Sequence, residues 1–168
     1  HGIYAVHNGT GTLSVTALGD VTGGTGAGIS TRTLVGRQSD IDVLGTATVT
    51  SGSSGIAITN NDGNSLTRIG VAASVTGAIN LGGGTDSLRF YGAGISNVTA
   101  IDGGAGTGDT LFFRNASGAV NGPIAGMETV TVEGASDVTF NGALSARLTT
   151  IGSTTVTLNS AATVSNTI

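Results

Sequence analysis

The chain has 168 residues and a formal net charge of −4, from six Arg, no Lys, eight Asp and two Glu. This balance leaves no basic stripe to neutralise nucleic-acid phosphates or to dock on an anionic membrane. Four Phe, two Tyr, no Trp and no Cys argue against an aromatic-rich globular core and exclude disulfides and thiolate metal sites.

Thirty residues are Gly, and short apolar-polar-apolar segments recur between them. Gly2-Ile3, Gly28-Ile29 and Gly55-Ile56 open three such segments, 26 and 27 residues apart. Leu13 and Val15 point inward between Thr12, Ser14 and Thr16, and Ile41 and Val43 do so beside outward Asp40 and Asp42. Ala47 and Val49 alternate with Thr46, Thr48 and Thr50. Ile56 and Ile58 follow, then Val71, Ala73 and Val75 as one strand, Ile79 and Leu81, and Leu88 and Phe90. The second half continues with Val98 and Ala100, Leu111 and Phe113, Val130 and Val132, Val138 and Phe140, and Val156 and Leu158.

Gly, Asn, Asp and Ser stand between these segments, as turns require. Gly and β-branched residues disfavour helix, and the best helical stretch, Gly142 to Leu148, is short. No segment reaches the ~20 apolar residues of a spanning helix, nor the ~10-residue strands with aromatic girdles of a membrane barrel. Asn8-Gly9, Asn121-Gly122 and Asn141-Gly142 allow local hairpins, as in an antiparallel sandwich. The repeated Gly-Ile starts favour translation along an axis instead. The reading is all-β: a parallel β-helix of roughly six to eight coils at ~20–27 residues each. It forms a single segment over 1–168, with aliphatic ladders inside. The Gly82 to Leu88 and Gly103 to Leu111 stretches are related copies one coil apart.

Gly2-Ile3-Tyr4-Ala5-Val6-His7-Asn8-Gly9-Thr10 through Val15-Thr16, then Gly19-Asp20-Val21-Thr22-Gly23, resembles repeats in passenger domains of bacterial autotransporters (type V secretion). The Asp102-Gly103-Gly104 to Thr110-Leu111 stretch and Met127-Glu128-Thr129-Val130-Thr131-Val132 are similar to later passenger coils. The resemblance covers most of the chain. It implies a right-handed parallel β-helix carried to the surface of a Gram-negative bacterium and attached through an outer-membrane barrel that this chain does not contain. The chain starts without Met or a leader-like segment and ends on strand-like text, Thr155 to Leu158 and Ala162 to Val164. The expectation is a fragment of a longer passenger, with uncapped coils open to end-to-end association.

Gly103-Gly104-Ala105-Gly106-Thr107-Gly108-Asp109-Thr110-Leu111 approximates a calcium-binding nonapeptide, but Asp109 falls one position late and the Gly82 copy is one residue short. These stretches are read as structural turns. Asp40 with Asp42, and Asp102 with Asp109, are the paired carboxylates that acid-base chemistry or Ca²⁺ would need. Arg32 and Arg37 are the nearby basic candidates, and Tyr91 and Phe112 the outward aromatics. A solvated strand face is the reading preferred for them. Thr rows such as Thr46/Thr48/Thr50 and Thr129/Thr131 are too uneven for a water-ordering face. His1 and His7 are terminal or turn residues.

The expectation is therefore a non-enzymatic stalk or adhesin-like passenger segment, extracellular, with no catalytic, cofactor-binding or metal-binding residue. It would make host-surface or cell-cell contacts through a rod face, bind no nucleic acid and insert in no membrane. The alternatives are a carbohydrate-active β-helical enzyme (a polysaccharide lyase or hydrolase) and a calcium-binding β-roll-like module.

Overall fold

A computed structural model describes residues 1–159 and the backbone of 162–164. The described residues contain strands and turns and no helix. The first three coils comprise β1 (Ile3–His7), β2 (Leu13–Ala17), β3 (Val21–Thr22), β4 (Ile29–Thr33), β5 (Gln38–Val43), β6 (Thr48–Thr50), β7 (Ile56–Asn61), β8 (Asn64–Ile69) and β9 (Ser74–Asn80). Then follow β10 (Gly83–Gly84), β11 (Ser87–Tyr91), β12 (Val98–Asp102), β13 (Ala105–Gly106), β14 (Thr110–Arg114) and β15 (Ser117–Val120). The last are β16 (Ile124–Ala125), β17 (Thr129–Glu133), β18 (Asp137–Phe140), β19 (Leu144–Ile151), β20 (Thr155–Leu158) and β21 (Ala162–Val164).

Strands pair in parallel with their equivalents one winding away, giving a β-solenoid of about six turns. Three faces result. The first runs β1-β4-β7-β9-β12-β16-β19, the second β2-β5-β8-β11-β14-β17-β19. The third carries β3-β6-β9 low in the rod and β15-β18-β20 high in it. β9 and β19 bend through two faces each: β9 pairs β6 through Ser74–Thr76 and β12 from Gly77 onward, and β19 pairs β16 at Leu144 and β17 from Arg147 onward.

Parallel register places like on like. On the first face Ile3, Ile29, Ile58, Ile79, Ile101 and Ile124 lie in one column, continued by Leu144. Ile29, Ile58 and Ile79 are fully buried. On the second face Val15, Ile41, Thr67, Leu88, Leu111 and Val130 form one inner column, and Ala17, Val43, Ile69, Phe90, Phe113 and Val132 the next. Phe90 stacks on Phe113 at 5.2 Å between ring centroids, and Phe113 meets Phe140 from the third face at 5.9 Å. β-branched side chains are stiff and pack well in such repeated layers. The narrow core therefore needs few aromatics.

The winding tightens along the chain. Register partners are 26 residues apart from Val15 to Ile41 and again to Thr67, but 19 apart from Leu111 to Val130 and 18 from Val130 to Leu148. The loss falls in the turns and the first face, whose strand shortens from five and six residues at β4 and β7 to two at β16, since the second-face strands keep their length. A Gly column at one turn permits the tight stacking. Gly104 has φ +93°, and a Cβ there would lie 1.7 Å from the Gly82 carbonyl oxygen.

Several local expectations are corrected. Val71 is 69 % exposed, because the chain turns at positive-φ Ala72 and only Ala73 and Val75 face in. Ala100 is half-buried and Ile101 takes the inward column, after a register shift between Val98 and Ile101. Leu158 is exposed. Gly142 to Leu148, too short a helical stretch in the sequence, lies within or beside β19 and forms no helix, in line with the all-β reading. Asn121-Gly122 and Asn141-Gly142 make no hairpin: Asn141 Nδ2 donates to Asn121 Oδ1 and Asn159 Nδ2 to Asn141 Oδ1, both at 2.9 Å, one coil per step.

Candidate functional site

The outer side of the second face gathers most of the chain's Arg. Alternation along β8, β11, β14 and β19 turns Arg68, Arg89, Arg114 and Arg147 outward, four of the six Arg in the chain. Register stacks Thr16, Asp42, Arg68, Arg89, Phe112 and Thr131 in one outer column. Ser14, Asp40, Leu66, Ser87, Thr110 and Thr129 form the column beside it.

Asp40 and Asp42 do lie together on one strand face, but their basic partner is Arg68, not Arg32 or Arg37. Arg68 meets Asp42 through Nε to Oδ1 at 2.5 Å and Nη2 to Oδ2 at 2.9 Å, with Asp40 Oδ2 at 3.9 Å. The hydrogen bond to Asp42 and the two negative charges push the guanidinium pKa up, against partial desolvation. Such a fork-to-carboxylate pair fixes the Arg68 and Asp42 side chains against each other on the surface. Arg32 instead pairs with Asp62 at 3.7 Å across an exposed corner, and Arg37 sits exposed in the turn before β5.

Higher on this face, Tyr91 and Phe112 form a tilted ring pair with centroids 6.2 Å apart. Arg89 donates to Ser87 Oγ at 3.1 Å and reaches the Tyr91 hydroxyl at 3.5 Å. Arg114 pairs with Glu133 at 3.3 Å. A shallow groove of about 280 Å³ runs between Ser87, Arg89, Thr110, Phe112, Thr129 and Thr131. It is lined by a guanidinium, several hydroxyls and an aromatic side chain.

The Gly-rich stretches form stacked turns, with β10 and β13 paired in register. Asp102 and Asp109 part company there. Asp102 is exposed and accepts the Gly104 N–H at 2.9 Å. Asp109 is fully buried and lies over Asp86, not beside Asp102. Asp86 Oδ1 accepts the Ser65 N–H at 2.6 Å, Asp109 Oδ1 the Asp86 N–H at 2.7 Å, and Glu128 Oε2 the Asp109 N–H at 2.6 Å. Each acid thus caps a backbone donor of the coil below. Among the described residues no group of three or more His, Cys, Asp or Glu is placed to hold a metal ion.

His1 stacks on Tyr4 at 5.2 Å and His7 is half-buried in β1. Thr48 accepts from Ser74 Oγ at 3.2 Å on the third face, and Thr129 and Thr131 share the groove with Phe112. Two features escaped the sequence reading: the gathering of Arg on one face and the capping column of acids. The second had a signal. Asp86-Ser87-Leu88 and Asp109-Thr110-Leu111 share the order acid, hydroxyl, Leu, so counting back from Leu would have aligned the two acids.

No protein-family model, curated protein or solved structure was found to match the chain.

Proposed function

We propose that the chain is a non-enzymatic stalk segment of a Gram-negative autotransporter passenger, presented at the cell surface and making host-surface or cell-cell contacts through the outer side of its second face. The observation that carries this reading is the continuous Ile column from Ile3 to Ile124. A core of stacked layers suits a rigid spacer, whose length grows with each coil. The resemblance of the Gly2 to Gly23 and Asp102 to Val132 stretches to passenger repeats adds the secretion route. Absence of Cys and of Lys, with few charges overall, fits passage of an unfolded chain through a narrow pore. The face bearing Arg89, Tyr91 and Phe112 is the one equipped for contact, since aromatic and Arg side chains dominate binding surfaces.

The test is surface display. The segment is joined to a translocating outer-membrane barrel in a Gram-negative host, and whole cells are probed with antibody and external protease. Display of a folded, protease-resistant segment supports the reading. Retention inside the cell, under conditions where a control passenger is displayed, ends it. Turnover of an acidic polysaccharide, lost in Asp42→Ala, would favour the enzyme reading instead.

A further inference from the structure

The inner corner between the first and second faces changes character along the rod. Low in it the buried polar groups are neutral and largely paired: Thr31 Oγ1 bonds Ser39 Oγ and Asn60 Oδ1, both at 3.0 Å, and Asn60 Nδ2 reaches the Gly63 and Leu81 carbonyls, both at 3.1 Å, while the buried Ser65 hydroxyl, next to Ser39 in register, stands outside that network. Higher up, the same corner holds Asp86 and Asp109, 1 % and 0 % exposed. One oxygen of each carboxyl accepts the N–H below. The other, Oδ2 in both residues, is buried without a hydrogen-bond partner.

We propose that the Asp86–Asp109 pair is a proton-binding clasp: it takes up protons from mildly acidic solution, and the coils it joins hold together more tightly in acid than at neutral pH.

Two like charges one coil apart, each with a dry bare oxygen, are costly when both are ionised. The surroundings supply no compensating cation. Glu128 lies above Asp109 and adds negative charge. Asp102 lies across the turn, bonded to Gly104 N–H. Gly103 approaches the bare Asp109 oxygen. Gln38, Asp40 and Arg89 line the surface groove that Asp86 borders, but Gln38 bonds Asp40 at 2.9 Å and Arg89 bonds Ser87. Burial accordingly pushes the Asp86 carboxyl up to about 6, against the hydrogen bonding from Ser65, with the charge of Asp109 adding to the rise. Burial raises Asp109 as well, and the Glu128 charge adds to it. Protonation at Oδ2 removes the repulsion and keeps the Oδ1 caps.

The experiment follows thermal unfolding by circular dichroism from about pH 7.5 to about pH 5, for the wild type, Asp86→Asn, Asp109→Asn and the double variant. The wild-type melting temperature should rise by a few degrees on acidification. The double variant should lose most of that rise and melt at or above the wild type at neutral pH. A wild-type melting temperature that is flat or falls, or a rise that survives in the double variant, overturns the proposal. Should the variants fail to fold, infrared spectroscopy of the wild type still decides: a protonated-carboxyl band persisting at about pH 5.5 supports the clasp, and its absence sinks it. A melting shift caused at neutral pH by about 1 mM calcium, absent from Asp86→Asn, would also overturn it, by giving the bare oxygens to a metal ion.

Discussion

Ile58, not Ile56, lies beside Ile29 in the first-face ladder. The Gly-Ile word at Gly55-Ile56 repeats the words at Gly2 and Gly28, yet the chain slips two residues there, with a register shift between Ile56 and Ile58 in the pairing to β9. The inward column is preserved because burial of a side chain outweighs identity of text. Ile58 is fully buried while Ile56 is only half-buried.

That column sets the first prediction. Ile79 sits between Ile58 and Ile101 and is fully buried. Ile79→Ala should destabilise the rod by ~2–5 kcal/mol, and Ile79→Val by ~0.5–1.5 kcal/mol. Ile56→Ala should cost less than Ile79→Ala. Denaturant unfolding of the three variants checks the order.

Thr67 interrupts the second-face column between Ile41 and Leu88. It is fully buried, and its hydroxyl has no hydrogen-bond partner. Thr67→Val keeps the shape and removes the dry hydroxyl, so it should leave stability unchanged or raise it by about 1 kcal/mol. A loss of that size in chemical denaturation would mean the hydroxyl is satisfied.

Gly104 and Gly24 should respond oppositely to Ala. At Gly104 a Cβ would strike the Gly82 carbonyl, and φ is +93°. Gly104→Ala should cost at least 1–3 kcal/mol, from strain alone about that much. At Gly24 nothing lies within 4 Å of the added carbon, so Gly24→Ala should stay within about 0.5 kcal/mol. Melting curves of the two variants make the comparison.

The acid column has a definite sign. The folded Asp86 carboxyl titrates at about 6 against an ordinary value of 3.8, so the folded state binds the proton more tightly than the unfolded chain. Its stabilisation is full below the ordinary value and is lost as pH rises through the folded one. Asp86 alone should contribute about 1 kcal/mol by about pH 5 and approach ~3 kcal/mol in stronger acid. The difference between wild type and Asp86→Asn in urea unfolding across this range measures it.

Much of the fold could be read from the text because period-two alternation and Gly turns are local signals. Leu13 and Val15, Ile41 and Val43, and Leu88 and Phe90 all face in as alternation requires. Val71 failed because a turn at Ala72, with φ +64°, leaves no mark in an apolar run. The Asn-Gly pairs, which allowed local hairpins, were ambiguous for a different reason. The same residues that favour a hairpin also stack amide on amide when the next coil brings another Asn to the same height, as Asn121, Asn141 and Asn159 do. The Arg-bearing face was hidden because its members come from four coils at uneven spacing, and only register brings Arg68 beside Arg89. Asp42 and Arg68 likewise stand 26 residues apart, beyond any local pattern.

Stacking of successive coils is tested most directly by distances between spin labels, since the chain has no Cys and accepts labels cleanly. Ser14, Ser87 and Thr129 share one outer column, three and five coil steps apart from Ser14. At the ~4.8 Å spacing of paired strands, the Ser14/Thr129 pair should be longer than the Ser14/Ser87 pair by about 10 Å, each with a single narrow distribution. Equal distances, or a shorter one for the pair farther along the chain, would contradict a parallel stack.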